Sequence, residues 1–155
     1  MEALATAAPG VLLFEDAAQA HGATRNGRPV AAASIAAATS FYPGKNLGAY
    51  GDGGAVLTRS AEIAAQVRAL RNYGSPVKYS HPIAGMNSRL DTLQAVVLRA
   101  KLKRLAAWND ARRAAAARYH ELLARLPDVT LPRPPPATST SGISTRCASR
   151  AAIAC

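Results

Sequence analysis

The segment SFYPGKNLG (residues 40–48), followed by GDGG at residues 51–54, sets one lysine in a glycine-rich loop between two apolar, strand-like runs. Lys45 is the only lysine before Lys78. An amine held among small residues, with apolar segments on either side, can be kept partly desolvated and act as a nucleophile. An isolated Gly-Lys pair in a Pro-Gly loop is more often a solvated turn, so further residues must decide the role of Lys45.

A nucleotide-binding P-loop is the first alternative for a glycine-rich loop that carries a lysine. Its pattern needs a glycine five residues before the Gly-Lys pair and a Ser or Thr after it. This chain has Thr39 and Asn46 at those positions, and Pro43 removes a backbone donor. The sequence therefore excludes a P-loop.

A short apolar run, VLLF at residues 11–14, lies upstream between Pro-Gly and the acids Glu15 and Asp16. Such a run predicts a strand buried on both faces of a parallel sheet. Open α/β sheets bind their ligands at the carboxyl ends of the strands, where these acids fall. Taken alone, Asp16 fits an N-cap of a following helix better than a catalytic role.

Three ordered blocks change that balance: EDAAQAHG at residues 15–22, the glycine-framed lysine segment at 40–54, and GMNSRLD at 85–91 with LQA shortly after it. Together they resemble the DegT/StrS family of sugar aminotransferases, which are pyridoxal 5'-phosphate enzymes of the aspartate-aminotransferase fold (fold type I). The resemblance implies an α/β fold. Residues 1–132 would form the C-terminal half of the cofactor-binding large domain plus connecting helices, ending in a long helical segment.

The resemblance assigns cofactor contacts to the first block and to the lysine. Lys45 matches the Schiff-base lysine, whose amine also carries the proton between substrate and cofactor. Asp16 matches the carboxylate that keeps the pyridine nitrogen protonated. Gln19 falls where the family places a residue near the ring and its phenolic oxygen.

The remaining assignments concern the phosphate and the substrate. Ser40 matches a phosphate-binding hydroxyl, and Asn87 matches an asparagine that reaches the cofactor phosphate of the neighbouring subunit, so the resemblance implies a homodimer. Arg89 matches a position that could hold a substrate carboxylate, although a salt bridge flanking a helix fits it equally well.

The reaction implied is transfer of an amino group from glutamate or glutamine to a keto-sugar, carried on a nucleotide. Family members are more than twice as long as these 155 residues. We therefore expect a truncated enzyme that is active at best when its missing parts complete it, and that folds poorly or binds the cofactor weakly by itself. The alternative is a non-catalytic remnant, or a binding protein that uses its basic helices.

Residues 91–126 favour helix almost throughout, and the nearly coincident range 89–125 carries most of the net charge of +10. Between residues 89 and 125 there are nine Lys or Arg and three Asp or Glu, a balance of 9 − 3 = +6. Basic helices can bind nucleic acid or an acidic membrane surface. Because the charges are spread around the helix, aromatics are few and no nucleic-acid module is present, we do not expect nucleic-acid binding.

The segment between the second and third blocks is interpreted as scaffold. Residues 54–58 predict a strand, and residues 61–72 predict a helix with Ser60 as its N-cap and Gly74 ending it. Within that helix, Ile63, Val67 and Leu70 fall on one face, which predicts a stripe directed at the core.

Composition excludes several classes of function. No apolar run is long enough to span a membrane. The first cysteine is Cys147, so we expect no disulfide framework and a cytoplasmic location. The histidines His21, His81 and His120 lack metal-ligand spacing; we interpret them as loop or surface residues and predict no metal site.

Residues 133–155 depart from the family. They begin with RPPPA and continue as a Ser, Thr, Ala and Arg mixture without periodicity that contains both cysteines. We interpret them as an aberrant or disordered tail. A more specific hypothesis is a frameshift, since a shifted reading of residues 137–149 can encode an alternating, strand-like segment; the genomic sequence decides it.

Overall fold

The structure, a computed structural model, describes residues 2–132, 138–139 and 148–149. Its helices are α1 (Glu2–Ala7), α2 (Ala61–Leu70), α3 (Thr92–Leu102) and α4 (Leu105–Leu123). Its strands are β1 (Phe14–Asp16), β2 (Thr24–Arg25), β3 (Arg28–Pro29), β4 (Ala36–Ser40), β5 (Gly54–Thr58), β6 (Val129–Thr130), β7 (Thr138–Ser139) and β8 (Ala148–Ser149).

The main sheet has the strand order β1-β4-β5. Strand β1 runs parallel to β4, with Asp16 opposite Ala38, and β4 runs antiparallel to β5, with Ser40 opposite Gly54. The predicted strand at residues 54–58 is confirmed with its bounds. The sheet is therefore mixed, and the parallel pair is the part that brings Asp16 towards Ser40.

The prediction that residues 11–14 form a strand buried on both faces is wrong. Strand β1 begins only at Phe14, and Val11, Leu12 and Phe14 are 60%, 65% and 65% exposed. Strand β1 is the outer strand of its sheet, so only β4 flanks it. These apolar side chains are therefore exposed to solvent, because no described residue of this chain covers them.

Helix α2 starts where the sequence predicts and ends two residues early. The Ser60 hydroxyl accepts a hydrogen bond from the Ile63 N–H at 3.2 Å, which is the expected N-cap. At the other end, the Gly74 N–H reaches back to the Ala69 carbonyl at 2.9 Å, so the chain turns before residue 72. Leu70 does not belong to the buried stripe: it is 38% exposed, and Ala69 is buried in its place.

The long helical segment is confirmed, but it is divided into α3 and α4 by a turn at residues 103–104. The core cluster beneath these helices consists of Leu47, Ala49 and Leu98, with Phe41 and Leu105 packed against it. Two of these residues come from the loop that follows Lys45. The glycine-rich loop is thus part of the core and not a solvated turn.

Side chains of α3 also fasten the loop. Lys101 donates from Nζ to the Gly48 carbonyl at 2.7 Å, and Gln94 Oε1 accepts from the N–H groups of Tyr50 and Gly51 at 2.9 and 3.0 Å. These bonds satisfy backbone groups that a loop would otherwise expose.

Two small antiparallel sheets complete the architecture, with orders β3-β2-β7 and β6-β8. Apart from the short strands β7 and β8, residues 133–155 lie outside the described residues, and so do the disordered-tail and frameshift interpretations placed on them. In the described part of the chain, no helix is both long and apolar enough to cross a membrane.

Candidate active site

Asp16 and Ser40 end adjacent strands of the main sheet. Because β1 and β4 are parallel and Asp16 lies beside Ala38, both residues fall at the same carboxyl edge. The chain then turns tightly: the Tyr42 N–H donates to Ser40 Oγ at 3.2 Å, and the Lys45 N–H donates to the Tyr42 carbonyl at 2.9 Å. This turn brings the half-buried Lys45 back towards the edge.

Close backbone contact keeps the Lys45 loop compact. A Cβ atom on Gly48 would lie 2.3 Å from the Pro43 carbonyl oxygen, so only glycine fits there. The Ala49 N–H donates to the Phe41 carbonyl at 2.7 Å and closes the loop. The backbone at Lys45 therefore does form a turn, as expected for a Pro-Gly loop. The residues after it, Leu47 and Ala49, anchor that turn to the core.

The Asp16 carboxylate organises a turn, not a helix. Its Oδ1 accepts from the Ala18 N–H at 3.0 Å, and residues 17–20 continue as turns, so the N-cap interpretation is not realised. Ala17 is buried and donates to the Ala38 carbonyl at 2.7 Å, which fixes the turn against β4. Gln19 lies in this same turn and is exposed to solvent.

His21 is a buried residue that the sequence interpretation misplaced. It does lie in a loop, but only 9% of it is exposed, and its ring stacks on Phe41 with the centroids 6.1 Å apart. Its Nε2 lies 3.0 Å from Thr39 Oγ1, which donates its own proton to the Ala17 carbonyl at 3.1 Å. We therefore assign the ring proton to Nε2.

That tautomer leaves His21 Nδ1 as a buried acceptor with no hydrogen-bond partner in the described part of the chain. Burial, and next to it the positive charge of Lys45, lower the pKa of His21 from its ordinary 6.5, while the Ser40 backbone acts weakly in the opposite direction. Lys45, Ser40 and a neutral imidazole thus share one site.

Asn109 on α4 is a second residue that the sequence interpretation missed. It is buried and hydrogen-bonded to both site loops, through the Asn46 side chain and the His21 carbonyl. An asparagine in the middle of a basic helix gives no local signal of such a role.

Asn87 and Arg89 lie apart from this group. Asn87 pairs with Asn72 in an isolated bridge, and Arg89 donates to the Asn87 and Asn72 side-chain oxygens at 3.0 and 3.3 Å. The Arg89 guanidinium also lies over the Tyr73 ring, 5.4 Å from its centroid. Among the described contacts, none joins either residue to Asp16, Ser40 or Lys45.

The chemistry of this edge fits pyridoxal 5'-phosphate. An amine, a carboxylate and a hydroxyl lie on neighbouring segments there, with Asp16 and Ser40 at the ends of adjacent strands and Lys45 in the loop after Ser40. These are the groups that would meet the aldehyde, the ring nitrogen and the phosphate of that cofactor. His21 Nδ1, buried and without a hydrogen-bond partner among the described residues, is a further polar atom near Lys45. No cluster of three or more potential metal ligands occurs in the ranges that the structure describes.

Comparison with known proteins agrees with this chemistry. A sequence profile of the DegT/DnrJ/EryC1/StrS aminotransferase family matches residues 1–152. A dTDP-3-amino-3,4,6-trideoxy-alpha-D-glucose transaminase of Streptomyces venezuelae is 57% identical over 129 residues, which are 83% of this chain and 34% of that protein. A UDP-N-acetyl-3-dehydro-alpha-D-glucosamine 3-aminotransferase of Acidithiobacillus ferrooxidans is 51% identical over 81% of this chain and 34% of its own length.

Solved structures agree on the fold. S. venezuelae DesV, crystallised in complex with a ketimine intermediate, superposes with a TM-score of 0.91 at 50% identity, over 97% of this chain and 40% of DesV. A DegT DnrJ EryC1 StrS aminotransferase from Brucella abortus gives 0.88 at 38% identity with the same coverage. The predicted α/β fold, as part of a fold-type I aminotransferase domain, is confirmed.

The chain spans about a third of the length of the curated relatives it matches. Those relatives are nucleotide-sugar aminotransferases, and the match runs through all three sequence blocks. This chain belongs to the DegT/DnrJ/EryC1/StrS aminotransferase family.

Proposed function

We propose that this chain supplies the lysine-bearing part of a pyridoxal-phosphate active site that transfers an amino group from glutamate or glutamine to a nucleotide-linked keto-sugar. The observation that carries the proposal is the meeting of Asp16 and Ser40 at the ends of parallel strands, with Lys45 in the loop that follows. The two relatives named above, which act on dTDP- and UDP-linked sugars by their names, support the substrate class.

Each residue has a role set by its chemistry. Lys45 would hold the cofactor and move a proton at its Nζ, Asp16 would face the ring nitrogen, and Ser40 would donate to the phosphate. Gln19 would lie beside the ring from the turn after Asp16. The cofactor, when bound, supplies the electron sink that amino transfer needs.

The charge around Lys45 supports an anionic ligand. Lys45 lines a cavity of about 460 Å³ together with Lys101, Trp108 and Arg112, on the side of its loop that faces α3 and α4; Asp16 and Ser40 do not line this cavity. Three cationic side chains around one cavity raise the local concentration of phosphate-bearing molecules.

Asn87 and Arg89 belong to the assembled form of the proposal. Both are exposed, and we propose that Asn87 serves the phosphate of a neighbouring copy in a homodimer while Arg89 holds a substrate carboxylate. We also propose a cytoplasmic location, supported by the absence of cysteine before Cys147.

An absorbance titration of the purified chain tests the proposal. Addition of pyridoxal phosphate should shift its visible absorbance saturably, and subsequent glutamate should reverse the shift as the amine is transferred. Lys45→Ala should abolish both changes, while Lys78→Ala, the matched control, should keep them. Equal absorbance shifts in wild type and Lys45→Ala would contradict the proposal. A shift that does not respond to glutamate would support cofactor binding by this chain but contradict amine transfer by it.

A further inference from the structure

The side chain of Asn109 is buried between the two loops that carry the site residues. Only 3% of Asn109 is exposed, and it lies on α4, far along the chain from both loops. Its Oδ1 accepts from Asn46 Nδ2 at 2.8 Å, and its Nδ2 donates to the His21 carbonyl at 2.8 Å. A single amide group thus connects the residue after Lys45 with the turn after Asp16.

The fit around this amide is close. Gly22 adopts a φ of +77°, and a Cβ atom there would lie 2.8 Å from Asn109 Nδ2. The backbone therefore approaches the amide as closely as glycine allows. Because a buried amide that loses a partner pays a desolvation cost, the arrangement favours one separation of the two loops.

Each loop is attached to the main sheet on its other side. The turn after Asp16 is fixed to β4 through the Ala17 N–H and through the Thr39 hydroxyl. The Lys45 loop is closed by the Ala49 N–H, which donates to the carbonyl of Phe41, the residue that follows β4. Asn109 adds the contact across the open side, between the loops themselves.

We propose that Asn109 is a positioning residue that sets the distance and orientation of Lys45 relative to Asp16 by holding Asn46 and the His21 carbonyl with one side-chain amide. This inference rests on the proposed function, because its consequence is that the Lys45 amine and the Asp16 carboxylate are preorganised for one bound cofactor. A site held by packed and hydrogen-bonded supports loses function when a support is removed, even though the support touches no ligand.

Two measurements separate this role from general stabilisation. The first is the pKa of His21 in the chain without cofactor, followed by NMR and assigned with His21→Gln. The second is the apparent Kd for pyridoxal phosphate, from absorbance. The variants are Asn109→Ala and the milder Asn109→Ser, which keeps the comparison possible if Asn109→Ala does not fold.

Thr58→Val is the matched control. Thr58 Oγ1 donates to the Ile35 carbonyl at 2.7 Å, and Thr58 pairs with Ala36 at the opposite end of β4 from Ser40. Thr58 Oγ1 also accepts from the Ser60 N–H at 3.1 Å, so the control removes two part-buried hydrogen bonds, the number that the Asn109 amide makes, while leaving both site loops intact.

We expect both Asn109 variants to raise the pKa of His21 towards its ordinary value and to weaken the affinity for the cofactor about fivefold, which corresponds to the typical net contribution of a hydrogen bond. Thr58→Val should change neither. The inference would be overturned if folded Asn109 variants kept the wild-type His21 pKa and the wild-type Kd. It would also be overturned if Thr58→Val weakened cofactor binding as much as the Asn109 variants do. A wild-type chain that binds no cofactor, with the His21 pKa still shifted by Asn109→Ala, would contradict the proposed function and support the contact between the loops.

Discussion

Asp16 and Ser40 share one edge of the main sheet because β1 pairs in parallel with β4, and Lys45 follows in the loop after Ser40. Their chemistry was predictable because strand ends and glycine loops are visible in the sequence. The burial of His21 was not, since it depends on Thr39, 18 residues away, and on α4, 88 residues away. Local patterns do not encode contacts at that separation.

The lowered pKa of His21 makes the stability of the chain depend on pH. Since burial and Lys45 lower the pKa of His21 in the folded state from its ordinary 6.5, the unfolded chain binds more protons between the two values. Stability should therefore fall as pH drops below 6.5 and level off below the folded-state pKa.

Urea unfolding of the wild type and of His21→Gln, from neutral to mildly acidic pH, measures this effect. His21→Gln should flatten the pH dependence, and His120→Gln, which removes an exposed histidine outside the site, is the matched control. An identical slope in wild type and His21→Gln would show that His21 does not titrate as the structure requires.

At the scale of single elements, the sequence predicts where a helix starts more accurately than whether a strand is buried. Ser60 marked the start of α2, because an N-cap is a local hydrogen bond. The apolar run before Asp16 predicted a buried strand, yet β1 lies at the edge of its sheet. Burial is a property of neighbours, which a run of apolar letters does not specify.

The two N-caps provide a matched test. Ser60→Ala removes the bond from the Ile63 N–H and should lower the free energy of unfolding by about 1 kcal/mol. Asp91 precedes α3 without a side-chain cap bond, so Asp91→Ala should cost clearly less. Denaturant titrations give both values, and equal losses would count against the cap assignment.

Two glycines with the same φ of +71° separate backbone strain from collision. A Cβ on Gly74 would lie 1.7 Å from the Ile83 carbonyl oxygen, whereas a Cβ on Gly27 would meet nothing within 4 Å. Gly27→Ala should cost about 1 kcal/mol for the left-handed conformation alone. Gly74→Ala should cost more than about 2 kcal/mol, measured by thermal or urea unfolding; equal costs would contradict the close packing of residues 74 and 83.

At the scale of the whole molecule, the chain carries a net charge of +10 and corresponds to part of the solved family structures. The alternative of a binding protein that uses basic helices rests on that charge. Within α4, Arg113 pairs with Asp110 and Arg118 with Glu121, and on α3 Lys101 is bonded to Gly48.

The weak cofactor binding expected of this chain alone stays a prediction.

We expect at most weak, non-specific nucleic-acid binding, because Arg113 and Arg118 are paired with acids and Lys101 is bonded to Gly48. In fluorescence anisotropy with a labelled duplex, any binding should disappear at about 0.2 M salt. Lys103→Glu with Arg104→Glu, in the exposed turn between α3 and α4, should weaken it further. Tight binding that survives that salt concentration would favour the alternative function.

Reductive trapping tests the central claim, that Lys45 is the attachment point for pyridoxal phosphate. The chain has four lysines, at positions 45, 78, 101 and 103. The purified chain is mixed with limiting cofactor, reduced with borohydride and mapped by peptide mass spectrometry. The adduct should concentrate on Lys45; an adduct spread evenly over all four lysines, or absent from Lys45, would contradict this assignment.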